Sequence, residues 1–148
     1  MTRIKTAVIG VGYLGQWHAQ KYAHLEDAQL MAVCDADINR AKEIASLYDN
    51  VEATTDYTTL IGQVDAVSIA TPTQQHYPIA LFFLKNGVHV LLKKPITNTI
   101  DEANALIAMA KKNNVLLQVG HLERFNNAIT AVKPFLSQPR FIESTRTA

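Results

Sequence analysis

Short, mainly apolar runs alternate with longer amphipathic segments along most of the chain. Runs without polar alternation are typical of strands buried on both faces of a parallel sheet, while apolar positions three and four apart indicate helices. The predicted strands span residues 4–9, 30–34, 51–53, 66–70, 88–92 and 115–119. The predicted helices span residues 14–24, 38–48, 77–85, 100–112 and 124–136, with a short helix from Asp56 to residue 61. This order predicts an α/β fold with a doubly wound, mainly parallel sheet and helices on both faces.

The first predicted strand leads into a glycine-rich turn at the start of the first predicted helix. The turn has the pattern G-x-G-x-x-G and reads Gly10-Val11-Gly12-Tyr13-Leu14-Gly15. The first N–H groups of a helix lack backbone partners and carry partial positive charge, so a pyrophosphate can bind them. Gly10 permits the tight turn, Gly12 lets the backbone approach the phosphates, and Gly15 lets the helix pack closely on the strand. The turn, including Tyr13 and Leu14, is therefore a predicted dinucleotide-binding site.

An acidic residue follows the second predicted strand at the spacing found in dinucleotide sites. Asp35 lies about twenty residues after Gly15. Its carboxylate can accept hydrogen bonds from the adenosine ribose hydroxyls and repels a 2′-phosphate, which favours NAD over NADP. Arg40 is the one nearby cation that could reach such a phosphate. The alternative interpretation is a glycine turn in an unrelated α/β domain.

Composition and charge argue against several other classes of function. The 148 residues carry a net charge of +1, without the basic excess of proteins that bind nucleic acids or membrane surfaces. The five histidines and the single cysteine show no metal-ligand spacing, so no metal is expected. Cys34 is expected to be a buried thiol in a central strand. No apolar stretch is long enough to span a bilayer, and the expected location is the cytoplasm.

The strand–helix alternation ends near residue 136. Residues 137–148 follow a different pattern, which begins as an alternation of apolar and polar residues typical of a strand. We therefore expect residues 1–136 to form the dinucleotide-binding domain and residues 137–148 to begin a further domain. An unpaired strand at residues 140–146 is expected to promote dimers or aggregation.

Three further motifs follow predicted strands. They read Ala70-Thr71-Pro72-Thr73-Gln74-Gln75-His76, Gly87-Val88-His89-Val90-Leu91-Leu92-Lys93-Lys94-Pro95 and Gly120-His121-Leu122-Glu123-Arg124-Phe125-Asn126. Together with the glycine turn, and in this order, they resemble the Gfo/Idh/MocA family of oxidoreductases over essentially the whole chain. The last motif is most similar to the branch that oxidises the hydroxyl at carbon 3 of UDP-N-acetylhexosamines.

The resemblance implies an N-terminal Rossmann domain and a C-terminal α/β domain, the latter supplying much of the substrate site and the oligomer interface. It also implies oxidation of a hydroxyl of a sugar, cyclitol or nucleotide-sugar, with hydride passing to NAD(P). The expected protein is a homo-oligomer formed through the second domain. The first half alone is expected to bind NAD but to turn over little substrate.

The resemblance also implies roles for individual residues. Lys94 matches the lysine of the family's Glu-Lys-Pro motif and is the expected catalytic residue, in contact with both substrate and cofactor. Arg124 and Asn126 match residues beside the substrate site, where Arg124 either binds a substrate anion or only anchors the loop. The other implied cofactor contacts are Thr71, Pro72, Thr73, His76, Lys93 and His121.

One position departs from the family pattern. Lys93 stands where the family usually has glutamate, which brings like charge next to Lys94. Either the site tolerates this change, or catalysis is weakened or altered. The alternatives are therefore a non-catalytic NAD-binding sensor or regulatory module with the same fold, and an oxidoreductase of a neighbouring Rossmann family such as a biliverdin reductase or a homoserine dehydrogenase.

Overall fold

The computed structural model of the chain describes residues 2–136, 140, 141, 143 and 145. The strands are β1 (Ile4–Ile9), β2 (Ala28–Cys34), β3 (Glu52–Thr54), β4 (Ala66–Ile69), β5 (His89–Lys93) and β6 (Leu117–Gly120). The α-helices are α1 (Tyr13–His24), α2 (Ile38–Ala45), α3 (Thr73–Lys85), α4 (Ile100–Lys112) and α5 (Asn127–Val132). Short 3-10 helices span Tyr57–Leu60, Leu122–Phe125 and Lys133–Phe135.

The strands form one parallel sheet in the order β3-β2-β1-β4-β5-β6. The chain runs outward from β1 to β3 and then crosses to β4, on the other side of β1. This reversal between β1 and β4 is the place where open α/β sheets bind ligands. The predicted doubly wound Rossmann architecture is confirmed.

Each face of the sheet carries its own apolar core. Val8 of β1 packs with residues of α1 and α2 on one face, whereas its neighbours Ala7 and Ile9 pack with α3 and α4 on the other. All three are at most 2% exposed. Burial on both faces explains why β1 shows no polar alternation.

The turns that lead back into the sheet share one backbone feature. Residues with positive φ lie ahead of β3, β4, β5 and β6, and they are Asn50 (60°), Gly62 (78°), Gly87 (78°) and Asn114 (54°). At the end of α3, the N–H of Val88 donates to the carbonyl of Phe83 at 3.0 Å, and the N–H of Val115 makes the same bond to Ala110 at the end of α4. Such left-handed residues end a helix by satisfying its last carbonyl groups.

The prediction of one continuous helix at residues 124–136 is wrong. The described segment contains a 3-10 helix, then α5, then a second 3-10 helix. Asn126 has an extended backbone, and its side chain accepts a hydrogen bond from the N–H of Ala128 at 2.9 Å, which starts a new helix. All residues of 122–136 are exposed, so no packing holds one continuous helix together.

Two other expectations concern the ends of elements and the tail. Helix α3 begins at Thr73, four residues earlier than predicted, and contains Pro78. Three of the seven residues of the predicted strand at 140–146 lie outside the described residues, so the strand stays a prediction, as does the domain division at residue 136. Within the described part of the chain, none of the helices combines the length and the apolar character that crossing a membrane requires.

Candidate functional site

The glycine turn lies at the carboxyl end of β1, where the strand order reverses. The N–H of Gly10 donates to the carbonyl of Cys34 at 2.7 Å, and the N–H of Ala70 donates to the carbonyl of Ile9 at 2.8 Å. These bonds continue the sheet pairing past the strand ends on both sides of β1. The turn, the end of β2 and the loop after β4 therefore meet at one edge of the sheet.

Two of the three glycines make close backbone contacts. Gly10 has a φ of +84°, and a Cβ on it would lie 2.8 Å from the backbone nitrogen of Thr71. A Cβ on Gly15 would lie 1.8 Å from the carbonyl oxygen of Gly10. Helix α1 thus begins in direct contact with the turn, and a larger residue at position 15 would push it away from β1.

Gly12 faces open space instead. No described atom lies within 4 Å of a Cβ built on it. Gly12 is the N-cap of α1, and no described side chain caps that end of the helix. Tyr13 and Leu14, which follow, are exposed. The turn therefore offers room and N–H donors for a phosphate beside Gly12.

Asp35 holds the glycine turn from the end of β2. Its Oδ2 accepts a hydrogen bond from the N–H of Val11 at 2.8 Å, and its Oδ1 accepts one from the N–H of Asp37 at 3.1 Å. The side chain is half-buried. A carboxylate has about four lone-pair sites, so Asp35 can accept ribose hydroxyls in addition to these two bonds.

Arg40, a residue of α2, hydrogen-bonds to the same turn. Its Nε donates to the carbonyl of Val11 at 2.9 Å, so both backbone polar groups of Val11 are held by side chains. The two terminal nitrogens of Arg40 donate to Gln16 Oε1 at 3.1 Å and to Glu43 Oε2 at 2.8 Å. Each guanidinium nitrogen of Arg40 therefore donates a hydrogen bond, and the bond from Nε to Val11 stabilises the turn.

A cavity of about 440 Å³ lies between the turn and the loop after β4. Five of the predicted cofactor residues line it, namely Gly10, Gly12, Asp35, Thr71 and Pro72. The Oγ1 atom of Thr71 is buried without a hydrogen-bond partner among the described residues. A buried orphan hydroxyl beside a cavity indicates a polar ligand. Together with the space at Gly12, it shows that the residues present fit a dinucleotide.

Sequence reasoning missed part of the cavity wall. The additional lining residues are Ile9, Cys34, Ala36, Thr55, Tyr57, Ala70, Gln75 and Ile79. Thr55 and Tyr57 follow β3, the neighbour of β2, so the strand-end rule that found Asp35 could also have found them. The ring of Tyr57 packs edge-on against Phe82, with ring centroids 5.5 Å apart, which fixes it in the wall.

The single cysteine is buried, as the sequence predicts, and it also lines this cavity. Burial, with smaller contributions from the carboxylates of Asp35 and Asp56, raises the pKa of the Cys34 thiol to about 12. The thiol is therefore protonated at neutral pH, which makes it a poor nucleophile and a poor metal ligand.

The residues implied for chemistry lie farther along the same sheet edge. Lys93, the half-buried last residue of β5, is paired in register with Gly120 of β6. Lys94 and His121 come directly after this pair and are both exposed. The Lys94–Pro95 peptide bond is cis. The structure thus brings Lys94 and His121 to the ends of neighbouring strands, outside the cavity lined by Asp35.

The two predicted substrate residues lie in the exposed segment after β6. Asn126 caps α5, and its side-chain amide also donates to Glu123 Oε2 at 2.8 Å. Arg124 is exposed, and its backbone N–H donates to the carbonyl of His121 at 3.1 Å. The structure therefore gives Asn126 a local structural role and leaves the Arg124 side chain in solvent.

The remaining predicted cofactor contacts belong to the start of α3. Thr73 is its first residue and is half-buried. His76 is fully buried, with Nε2 2.9 Å from the carbonyl oxygen of Thr71 and Nδ1 2.9 Å from that of Pro95. His76 is absent from the lining of the described cavity and lies behind its wall.

His18, a half-buried histidine of α1, contacts the sheet. The Nδ1 atom of His18 makes a short hydrogen bond with Ser68 Oγ of β4, and Ser68 is 0% exposed. Burial lowers the pKa of His18 from its ordinary value of 6.5. His18 is therefore a structural partner of β4.

Comparison with known proteins connects this site to a family. A family model described as an oxidoreductase family with an NAD-binding Rossmann fold matches residues 4–121. A UDP-N-acetylglucosamine 3-dehydrogenase of Acidithiobacillus ferrooxidans is 41% identical, over 100% of this chain and 47% of its own. A solved structure of that enzyme superposes with a TM-score of 0.83, over 92% of this chain and 44% of its own.

Two further relatives are likewise matched over most of this chain but over less than half of their own length. An inositol 2-dehydrogenase of Rubrobacter xylanophilus is 36% identical, over 88% of this chain and 39% of its own. The structure of GenD2 from gentamicin A biosynthesis, in complex with NAD, is 29% identical with a TM-score of 0.77, over 80% of this chain and 34% of its own. The chain spans about half the length, or less, of these relatives. Given this match and the glycine turn at its switch point, the chain belongs to the Gfo/Idh/MocA family of oxidoreductases with an NAD-binding Rossmann fold.

Proposed function

We propose that the chain binds NAD in the cavity beside the glycine turn, as the cofactor-binding half of a dehydrogenase. The observation that carries this function is the composition of the cavity. Gly12 leaves room on one side, Asp35 contributes a carboxylate, and Thr71 contributes a buried hydroxyl without a described partner. These are the groups that a pyrophosphate, a ribose and a polar ring substituent require.

We propose NAD rather than NADP for two physical reasons. A 2′-phosphate on the adenosine ribose would lie next to the carboxylate of Asp35, and the two negative charges would repel each other. Arg40, the nearby cation considered above, is engaged by Val11, Gln16 and Glu43. Its charge is therefore directed at the turn instead of at a phosphate.

The proposed substrate is a nucleotide sugar, oxidised at a ring hydroxyl. Support comes from the similarity to a UDP-N-acetylglucosamine 3-dehydrogenase over the whole chain, including the segment from Gly120 to Asn126. Because the chain spans about half of that relative, we assign cofactor binding to the residues described here and substrate turnover only to the chain joined to a substrate-binding half.

Lys94 is the proposed catalytic residue. When bound, NAD supplies the hydride acceptor. Lys94 follows β5 at the carboxyl edge of the sheet and is exposed, so its ammonium can donate a hydrogen bond to the reacting oxygen. That hydrogen bond stabilises the negative charge that develops on the oxygen as the alcohol becomes a carbonyl.

A non-catalytic NAD-binding module is the second candidate, because Lys93 places a half-buried like charge beside Lys94. Both candidates predict NAD binding, but only a dehydrogenase predicts NADH formation. The discriminating assay follows NADH absorbance when the chain, joined to its substrate-binding half, is mixed with NAD⁺ and UDP-N-acetylglucosamine. Turnover that a Lys94→Met variant loses supports the dehydrogenase, and binding without turnover supports the module.

Cofactor binding is tested by calorimetric titration of the chain with NAD⁺ and NADP⁺. We expect the chain to bind NAD⁺ more tightly than NADP⁺. The Asp35→Asn variant is expected to bind NAD⁺ about tenfold more weakly and to discriminate less between NAD⁺ and NADP⁺. Asp101→Asn is the matched control, because it removes one exposed carboxylate at the start of α4 without touching the cavity. Equal affinity of the Asp35→Asn variant and the unmodified chain would exclude Asp35 as the ribose ligand.

A further inference from the structure

We propose that His76 is a positioning residue that ties the cofactor loop after β4 to the turn that carries Lys94. Because that loop and that turn belong to the proposed NAD site, this role depends on the proposed function. His76 lies in the first turn of α3, and its side chain is 0% exposed. A histidine buried this completely needs hydrogen-bond partners for both ring nitrogens.

Both ring nitrogens face carbonyl oxygens. Nε2 lies 2.9 Å from the oxygen of Thr71, and Nδ1 lies 2.9 Å from the oxygen of Pro95 and 3.3 Å from that of Ile96. A carbonyl oxygen can only accept a hydrogen bond, and a neutral imidazole has a single N–H. The ring N–H therefore donates to one of these two carbonyls, and the second ring nitrogen packs against the other.

The described polar partners of the ring are backbone carbonyls. Within residues 2–136, no carboxylate oxygen lies within 4.0 Å of His76, since the one ion pair described there joins Arg40 to Glu43. The carbonyls of Thr71, Pro95 and Ile96 are therefore the polar groups that hold the buried ring in place.

The ring bridges a gap between two neighbouring strand ends. Strands β4 and β5 are paired in register as far as Ile69 and Leu92. Beyond that point, among the described residues, segments 70–72 and 94–96 share no direct backbone hydrogen bond. His76 holds the carbonyl of Thr71, which lines the cavity, and the carbonyl of Pro95, which follows Lys94. The ring thereby sets the position of Lys94 relative to the cavity.

The contact of the ring with the backbone is tested directly by nitrogen-15 NMR of the unmodified chain. A ring N–H signal of His76 that is protected from exchange with solvent is the expected result, because that N–H donates to a buried carbonyl. A ring N–H that exchanges freely with solvent would overturn the bridge. This readout needs no bound cofactor, so it decides the inference even if the chain fails to bind NAD⁺.

The positioning role is tested by cofactor affinity in matched variants. His76→Phe keeps an aromatic ring but removes both ring nitrogens and the hydrogen bond that they make, and we expect its Kd for NAD⁺ to rise about tenfold. Leu106→Ala is the control, because Leu106 is a fully buried residue of α4 whose loss lowers stability without reaching the cavity. We expect Leu106→Ala to lower the melting temperature but to leave the Kd within twofold, measured at a temperature where both variants are folded.

A Kd for His76→Phe within twofold of the unmodified chain would show that the ring does not position the site. His76→Gln provides a second variant, since its amide N–H can still donate to one of the two carbonyls, and we expect a Kd between those of His76→Phe and the unmodified chain. If neither variant folds, the ring-nitrogen spectrum of the unmodified chain still decides the inference. Absence of NAD⁺ binding by the unmodified chain itself counts against the proposed function and not against the bridge.

Discussion

At the scale of single residues, the three glycines of the turn differ in what surrounds them. Gly10 and Gly15 are constrained by backbone atoms, whereas Gly12 is open toward the cavity. Stability and binding are therefore separable within one short motif. Substitution of each glycine by alanine distinguishes the two kinds of constraint.

Gly15→Ala is expected to destabilise the fold by about 3 kcal/mol or more, because its Cβ would lie 1.8 Å from the Gly10 carbonyl oxygen. Gly12→Ala is expected to change the free energy of unfolding by less than about 0.5 kcal/mol. The same variant should bind NAD⁺ at least tenfold more weakly, because the added methyl group fills the space proposed for the phosphates. Urea unfolding and calorimetry measure the two effects. Equal NAD⁺ affinity in Gly12→Ala would place the pyrophosphate elsewhere.

His18 makes a prediction about pH. Burial lowers its pKa in the folded chain below the ordinary value of 6.5, so the unfolded chain takes up this proton first as the pH falls. The stability that neutral His18 contributes is complete above pH 6.5 and is lost as the pH falls from there toward the lowered pKa. Urea unfolding at several pH values should show a shallower loss below pH 6.5 in His18→Gln than in the unmodified chain. Parallel curves would contradict this assignment.

The sequence predicts residues such as Gly12 and Asp35 because their neighbours in the motif define their surroundings. Thr55, Tyr57 and the two-sided contacts of His76 depend instead on how loops far apart in sequence pack together. Lys94 is a third case, because an exposed lysine before a proline has no chemical signature of its own. Only the family resemblance singled it out.

At the scale of elements, polar residues before helices define where most helices begin. Helix α4 shows this most fully, because Thr99 Oγ1 accepts from the N–H of Glu102 at 3.2 Å and Glu102 Oε2 accepts from the N–H of Thr99 at 3.3 Å. Such a capping box can be predicted from the residues alone. The broken helix after residue 121 is harder to predict, because the sequence offers Asn126 as a cap but does not show that the described residues 122–136 are all exposed.

Thr99→Ala is expected to cost about 1 kcal/mol of stability by removing the cap of α4. Thr130→Ala is a suitable control, since Thr130 is exposed in α5 and its hydroxyl bonds, among the described residues, only to the carbonyl of Asn126. Chemical denaturation should show a lower midpoint for Thr99→Ala with an unchanged slope. A midpoint equal to that of the control would mean that packing alone holds the start of α4.

At the scale of the whole molecule, the parallel sheet places its strand ends, and with them the proposed site, along one edge. The glycine turn, Asp35, the loop after β4 and Lys94 all lie at carboxyl ends of strands. This arrangement could be predicted from the order of strands and helices, because parallel strands joined by crossovers align their carboxyl ends. The tail could not be assigned in the same way, because its pattern stops after a few residues.

Cofactor binding should stabilise the whole molecule. At a free NAD⁺ concentration of 100 times its Kd, the free energy of unfolding should rise by about 2.7 kcal/mol. Thermal unfolding followed by circular dichroism measures this change, and NADP⁺ at the same concentration should give a smaller shift. An unfolding temperature that does not change with NAD⁺ would show that the folded chain binds NAD⁺ no more tightly than the unfolded chain does.

The left-handed residues ahead of β3, β4, β5 and β6 belong to turns at the amino ends of their strands, on the far side of the sheet from the cavity. Two of these turns, at Gly87 and Asn114, close the preceding helix with its own carbonyl groups. Changes on the surface of this edge of the sheet are therefore remote from the proposed cofactor site. If NAD binds as proposed, a fluorescent reporter attached at the amino edge would leave the cofactor's surroundings intact, which makes the chain a candidate frame for a genetically encoded sensor of the cell's nicotinamide pool.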